Sequence, residues 1–269
     1  MKKLDHLKNI FNNYDHFIID LWGVVHNGVK LNEGAMKTIE ELYNNKKNYI
    51  FLSNAPRPVK DVRKFLIEKM QINKKFLNNI LTSGEAAINS IKNFDYGKFF
   101  FHLGPERDSK IFEGLENHKT ELQKCDYILC TGLYDDEMDK LNFYEKLLEN
   151  STDKKMICTN PDLIVDRGGV REFCAGSVAM VFEKMGGEVV YFGKPYPEVY
   201  NLSIDNKNKK ILSIGDNLNT DIKGANLLNY DSLLISNGIH KNEIKQNGIE
   251  KVSKSYEAIC NYIQSELKW

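Results

Sequence analysis

Five polar residues, Asp20, Ser53, Lys194, Asp216 and Asp221, are of types that do chemistry when they share one site. Three carboxylates in one crevice repel each other unless a cation sits between them. Mg²⁺ suits that place because it takes carboxylates, carbonyls and water in octahedral geometry. Mn²⁺ accepts the same oxygen donors. A lysine and a serine beside that cation leave a pocket for an anionic, oxygen-rich group such as a phosphoryl. Aspartate is a competent nucleophile for phosphoryl transfer, giving an aspartyl-phosphate that water then hydrolyses. The cation and Lys194 would stabilise charge on the transferring oxygens.

Residues this scattered meet only if the fold gathers them. Short apolar runs occur at Phe17–Leu21, Tyr49–Leu52, Lys98–Leu103, Tyr127–Thr131, Met156–Thr159, Val189–Phe192, Lys210–Ile214 and Ser232–Ile235. Between and after them the pattern predicts helices over Gly34–Asn45, Val59–Met70, Gly84–Phe94, Glu137–Asn150, Gly176–Met185, Thr220–Asn229 and Ser255–Lys268. Such alternation, with continuous apolar strands, indicates α/β architecture around parallel sheets. The Asn/Lys-rich patches Asn44–Asn48 and Asn206–Lys210 read as solvated loops. Asp20, Ser53 and Asp216 stand at strand ends, and Lys194 follows the run Val189–Phe192. Ligands of open parallel sheets bind outside the carboxyl ends of the strands, so these groups are expected to converge on one crevice. The interval from Ser53 to Lys194 holds about three strand–helix units, enough for an inserted domain. The expected arrangement is a Rossmann-like core of residues 1–80 and 188–269 with an inserted α/β cap at 81–187.

Four segments carry a resemblance. They are Asp20-Leu21-Trp22-Gly23-Val24-Val25-His26-Asn27-Gly28, then Leu52-Ser53-Asn54, Gly193-Lys194-Pro195, and Gly215-Asp216-Asn217-Leu218-Asn219-Thr220-Asp221-Ile222. In this order the chain resembles the haloacid dehalogenase (HAD) superfamily of phosphatases. The third and fourth segments, with a cap between the second and third, are similar to class IIA, the nitrophenyl-phosphatase-like and pyridoxal-phosphate-phosphatase-like group, whose cap is of the C2 type. The resemblance implies a Mg²⁺-dependent hydrolase acting on a small phosphorylated metabolite. Asp20 would be nucleophile and metal ligand, with the backbone carbonyl of Trp22 and Asp216 as further ligands. Asp221 would hold metal-bound water and orient Lys194. Ser53 and the backbone N–H of Asn54 would bind phosphate oxygens alongside Lys194, and Asn217 would lie near the metal.

Position 22 departs from the family pattern. The superfamily usually has D-x-D-G-V, and its second aspartate protonates the leaving group and later activates water; here that residue is Trp22. The backbone carbonyl survives the change. General acid–base help is worth roughly 10²–10⁴-fold, so alkyl phosphates should suffer more than aryl or acyl phosphates. His26, in the loop after the first motif, is a candidate substitute for that acid. The alternative is a catalytically weak or inactive relative that binds a phosphorylated ligand or a protein partner.

Taken singly, each residue has a plainer reading: Ser53 as a cap, Lys194 as a solvated lysine, Asp216 and Asp221 as acids suited to a helix start. Arg57 reads equally as a substrate or surface residue, while Asn160-Pro161-Asp162 resembles the cap loop with which class IIA proteins close over substrate, its plainer reading being an Asn-Pro turn. His102, His118 and His240 receive no role. The small-and-large faces of Gly176–Met185 suit packing in the cap or against a second subunit, so a homodimer is compatible with the sequence. Lys+Arg and Asp+Glu are both 37, and this balance argues against nucleic acid or an anionic membrane as partner. No apolar run approaches the roughly 20 residues of a spanning helix, and no secretion signal is evident. Five cysteines without a C-x-x-C pair suit reduced thiols, and the expected location is cytoplasmic.

Overall fold

The computed structural model describes residues 1–204 and 209–269, so most of the Asn206–Lys210 patch lies outside the described residues. Along the chain the first elements are β1 (Lys2–Lys3), β2 (His16–Ile19), α1 (Glu33–Asn44), β3 (Asn48–Ser53), α2 (Val59–Glu68), β4 (Ile80–Thr82) and α3 (Ser83–Lys92). Phe17, Ile18 and Ile19 are all buried, as are Tyr49 to Leu52. A strand covered on both faces has no room for alternation, which is why these segments read as unbroken apolar runs. In α1, Ala35, Thr38, Ile39 and Leu42 are buried at helical spacing and give the helix one inward stripe. The Thr82 hydroxyl accepts the Glu85 N–H at 3.0 Å and starts α3.

The next strands, β5 (Phe100–Leu103), β6 (Tyr127–Cys130) and β7 (Lys155–Cys158), are all parallel, with α4 (Leu141–Leu148) between the last two. An antiparallel hairpin follows, β8 (Ile164–Arg167) and β9 (Val170–Phe173), then α5 (Ala175–Lys184) and β10 (Glu188–Tyr191). β10 pairs parallel with β7, completing a four-stranded sheet of order β10-β7-β6-β5. The expected boundary at 188 would leave this strand with the core; the segment up to Tyr191 instead belongs to the second sheet. An apolar run carries no local mark of the sheet it will join, because pairing is decided by distant partners.

The chain returns through α6 (Pro197–Ser203), β11 (Ile211–Gly215), α7 (Lys223–Leu227), β12 (Asp231–Ile235), α8 (Lys241–Asn247), α9 (Ile249–Ser255) and β13 (Tyr262–Gln264). These strands complete a seven-stranded parallel sheet of order β1-β13-β12-β11-β2-β3-β4. The helix predicted over Ser255–Lys268 is not formed. Tyr262 and Ile263 instead pair with Leu233 and Leu234 on one side and with Lys2 and Lys3 on the other. Two ladders outweigh a weak helical preference. The helix predicted from Thr220 also differs: Leu218–Ile222 is a π-helical turn that leads into the short α7.

From β2 the chain builds outward to β3 and β4 on one side and, after the excursion through the second sheet, to β11, β12 and β13 on the other. The reversal lies between β2 and β11, the place where open parallel sheets form their crevice. Phe51, wholly buried in β3 within the apolar cluster of this sheet, is a sensitive probe of this core. Phe51→Ala is expected to lower unfolding free energy by about 3–5 kcal/mol, read from the denaturant midpoint of the core transition.

Candidate active site

β2 ends at Ile19, so Asp20 is the first residue out of the sheet, and its N–H still bonds Ile214 O at 2.9 Å. β11 ends at Gly215 and presents Asp216 beside it. Asp216 Oδ2 accepts the Ile239 N–H at 2.8 Å. Space around this carboxylate is tight. A Cβ at Gly23, whose φ is +83°, would lie 2.1 Å from Asp216 Oδ2, so only glycine fits the turn that follows Trp22. Asp221 sits in the π-helical turn, where Oδ2 accepts the Asn217 N–H at 3.1 Å. Wide turns of this kind recur at functional sites.

Asp20, Asp216 and Asp221 each offer an oxygen within 4.8 Å of the others. Lys194 Nζ donates to Asp20 Oδ1 at 2.5 Å and to Asp221 Oδ1 at 2.6 Å. The lysine is delivered by the segment that returns from β10, not by a strand of the core. Its backbone is clamped there: Lys194 N–H donates to Asn54 Oδ1 at 2.8 Å, and Asn54 Nδ2 donates to Lys194 O at 3.1 Å. Ser53, the last residue of β3, accepts the Ala55 N–H on its hydroxyl at 3.2 Å.

Three carboxylates and one ammonium, all between 2 and 7 % exposed, are short of positive charge. Burial raises the Asp20 carboxyl well above its usual range, with Asp221 and Asp216 adding to the rise and Lys194 opposing it. Burial, then Asp221, lifts Asp216 to about 8. For Lys194 burial works downward, but Asp20 and Asp221 together outweigh it and hold the ammonium well above the ordinary lysine value. The donors are all oxygen and the imbalance is negative, which fits a hard divalent cation.

Above these groups lies a cavity of about 640 Å³ between the two sheets. Asp20, Ser53 and Lys194 line its core side, and Asp162, Asp166 and Arg167 its cap side. Asp162 lies in the Asn160-Pro161-Asp162 segment expected to be a cap loop, and the structure shows which core residues it meets. Its Oδ1 accepts from Asn54 Nδ2 at 3.2 Å and from Asn217 Nδ2 at 3.4 Å, tying the loop after β7 to two core motifs. Desolvation pushes its carboxyl up to about 6. Arg57 Nε donates to Asp108 Oδ1 at 2.6 Å and so engages the cap. His240, with no role expected, accepts the Leu218 N–H at 3.1 Å and steadies the turn that carries Asp221.

Trp22 and His26 are the surprise in the first motif. Trp22 Nε1 donates to Asp166 O at 3.0 Å, so the side chain points to the cap hairpin. His26 is buried with its ring edge-on to Trp22 and Phe65 at 5.2 and 5.7 Å. Its Nδ1 accepts the Gly28 N–H at 3.0 Å, which leaves hydrogen on Nε2. Burial, then Arg167, lowers its pKa to about 4, so the ring is neutral near pH 7.

Comparison with known proteins matches this architecture. Residues 17–117 fit a family model described as haloacid dehalogenase-like hydrolase, and residues 191–260 fit a second HAD-hydrolase-like model. A haloacid dehalogenase-like hydrolase of Brucella suis is 30% identical, with TM-score 0.85, over 98% of this chain and 99% of that one. The acid sugar phosphatase of Staphylococcus epidermidis is 26% identical over 84% of this chain and 88% of its own length. The 4-nitrophenylphosphatase of Thermotoga maritima shares the fold at TM-score 0.68, with 21% identity and 96% of each chain covered. The chain belongs to the haloacid dehalogenase-like hydrolases.

Removing the lysine exposes the charge imbalance. Lys194→Ala leaves Asp20 and Asp221 without their counter-ion and is expected to cost about 3–5 kcal/mol in chemical denaturation. Added Mg²⁺ should recover part of that loss, a result seen as a higher melting temperature in the variant.

Proposed function

We infer that this hydrolase is a Mg²⁺-dependent phosphatase of the class IIA type, acting on a small phosphomonoester through an aspartyl-phosphate on Asp20. The observation that carries this reading is the gathering of Asp20, Asp216 and Asp221, with Lys194 bonded to the first and last, at the sheet's switch point and beneath a cavity. The phosphatase names of the Staphylococcus and Thermotoga relatives support it. A Mg²⁺ ion would be held by Asp20, the Trp22 carbonyl and Asp216, with Asp221 as partner to its water, and would supply Lewis-acid stabilisation of the phosphoryl oxygens.

The chain's own groups then have distinct tasks. An Asp20 carboxylate oxygen forms a bond to phosphorus as the bond to the leaving-group oxygen breaks. Water attacks the aspartyl-phosphate in the second step, regenerating the carboxylate and releasing phosphate. Lys194 holds Asp20 oriented and offers positive charge to the phosphoryl oxygens. The Ser53 hydroxyl and the Asn54 N–H bind the remaining oxygens, and the Asn54 side chain keeps Lys194 in register.

No carboxyl stands at position 22 to protonate the leaving oxygen. The neutral, well-packed ring of His26 supports a structural role more than an acid one. The site is therefore matched to leaving groups that depart as stable anions. Trp22 also favours a second reading, a protein that binds a phosphorylated ligand and turns it over poorly or not at all.

Steady-state hydrolysis of an aryl phosphate and an alkyl phosphate, with and without Mg²⁺, separates the two. The expected result is metal-dependent turnover of the aryl ester, lower alkyl turnover by about 10²–10⁴-fold, and no turnover by Asp20→Asn. Metal-bound, folded protein with no turnover of either ester would favour the binding role.

A further inference from the structure

The hairpin β8–β9 is an unusual part of the cap. Its strands are joined by Gly168 and Gly169, with φ of +57° and +94°, which makes the two-residue turn that twisted antiparallel strands require. Cross-strand ion pairs at 3.1 Å link Asp166 to Arg171 and Arg167 to Glu172. None of its eight strand residues is fully buried. A two-stranded hairpin with so little buried surface is marginal in water by itself. Its order must come from what it touches.

It touches the core at two loops. Trp22 Nε1 donates to Asp166 O at 3.0 Å, and the Arg167 guanidinium lies over the indole at 4.8 Å from its centroid. Gly168 N–H donates to Asn27 O at 3.2 Å. Arg171 Nη2 donates to Ile239 O at 3.0 Å, and the N–H of that same Ile239 holds Asp216. The hairpin is thus registered against the loop that contains Asp20 and the loop that secures Asp216.

The indole itself is held in one pose. His26 meets it edge-on, and a Cβ at Gly28 would come within 2.5 Å of Trp22 Cη2. Gly28 has φ +83°, so the backbone turns tightly around the ring. A short aspartate at position 22 would reach none of these cap groups.

We propose that Trp22 is a positioning residue whose side chain latches the hairpin 164–173 over the mouth of the cavity, so that cap closure depends on position 22 of the first motif. The residue that supplies no proton supplies the closed geometry, and leaving groups are selected by the roof that Trp22, Asp166 and Arg167 form. The latch concerns the same site as the phosphatase reading, and its effect on turnover rests on that reading. Its effect on the hairpin does not.

The test uses the full chain with Trp22→Ala, Trp22→Phe and Arg167→Ala, and two readouts. The first is amide hydrogen exchange in residues 164–173 by mass spectrometry, which needs no activity. Loss of one hydrogen bond and one cation–π contact in Trp22→Ala should speed exchange by about tenfold, with Trp22→Phe and Arg167→Ala in between. The second is 4-nitrophenyl phosphate hydrolysis, where Trp22→Ala should raise KM by several-fold more than it lowers kcat, and Trp22→Phe should restore part of KM. Unchanged hairpin exchange in folded Trp22→Ala overturns the latch. A fall in melting temperature with no hairpin-specific change and no KM–kcat split would reduce Trp22 to a packing residue and overturns it equally. Should Trp22→Ala fail to fold, Trp22→Phe and Arg167→Ala carry the test, and wild-type exchange in both overturns it. If every protein is inactive while exchange responds as expected, the phosphatase reading falls and the latch stands.

Discussion

The ammonium of Lys194 lies 2.5 Å from one oxygen of Asp20 and 2.6 Å from one of Asp221, and the rest of the site depends on that shared charge. None of the three is stable in a buried setting alone, because an unpaired charge out of water is costly and each needs the others. They come from the end of β2, the segment returning from the cap, and the π-helical turn after β11. Only the reversal of strand order between β2 and β11 puts the first and last side by side. Ionised together with Asp216, the cluster would carry an excess of negative charge, and burial with Asp221 accordingly holds the Asp216 carboxyl up at about 8. That excess makes a divalent cation the natural complement of the site, and glycine at position 23 leaves Asp216 the room to take part.

The second sheet is coupled to the core through side chains that bridge the two, some beside the cavity and some away from it. Asn54 grips the backbone of Lys194 on both sides and also meets Asp162 from the loop after β7. Arg57 reaches Asp108, while Lys110 pairs with Asp61 and Lys60 with Glu113. The last two pairs have exposed lysines and add little strength, so they set placement more than stability. The hairpin contacts to Trp22 and Ile239 complete the closure. Cap position, lysine position and carboxylate geometry are therefore one mechanical problem.

Much of this was legible in the chain. Runs such as Phe17–Leu21 and Tyr49–Leu52 are apolar without alternation because both faces of a parallel strand are covered, and a polar residue at the end of such a run is conspicuous. Asp20, Ser53 and Asp216 were visible for that reason. Lys194 is marked by the Gly193-Lys194-Pro195 motif around it, although the strand before it belongs to the other sheet. Other features stayed hidden because they are decided by partners far away in sequence. Tyr262–Gln264 is a strand through its pairing with β12 and β1, and the partners of Asp162, though its loop is marked by Asn160-Pro161, are set by the folding of that loop onto Asn54 and Asn217. Trp22 could be recognised as a missing acid, but not as a cap contact. Its partner Asp166 contributes a backbone carbonyl, which no side-chain pattern announces.

Divalent-cation binding by the buried carboxylates Asp20, Asp216 and Asp221 is open to direct measurement. Titration of the wild-type protein with Mn²⁺, followed by electron paramagnetic resonance of the free ion, tests it without any assumption about substrate. A single saturable site that Mg²⁺ displaces, and that disappears in a folded Asp216→Asn variant, is the predicted result. No saturable binding in the wild type, or equal binding in Asp216→Asn, would contradict the account.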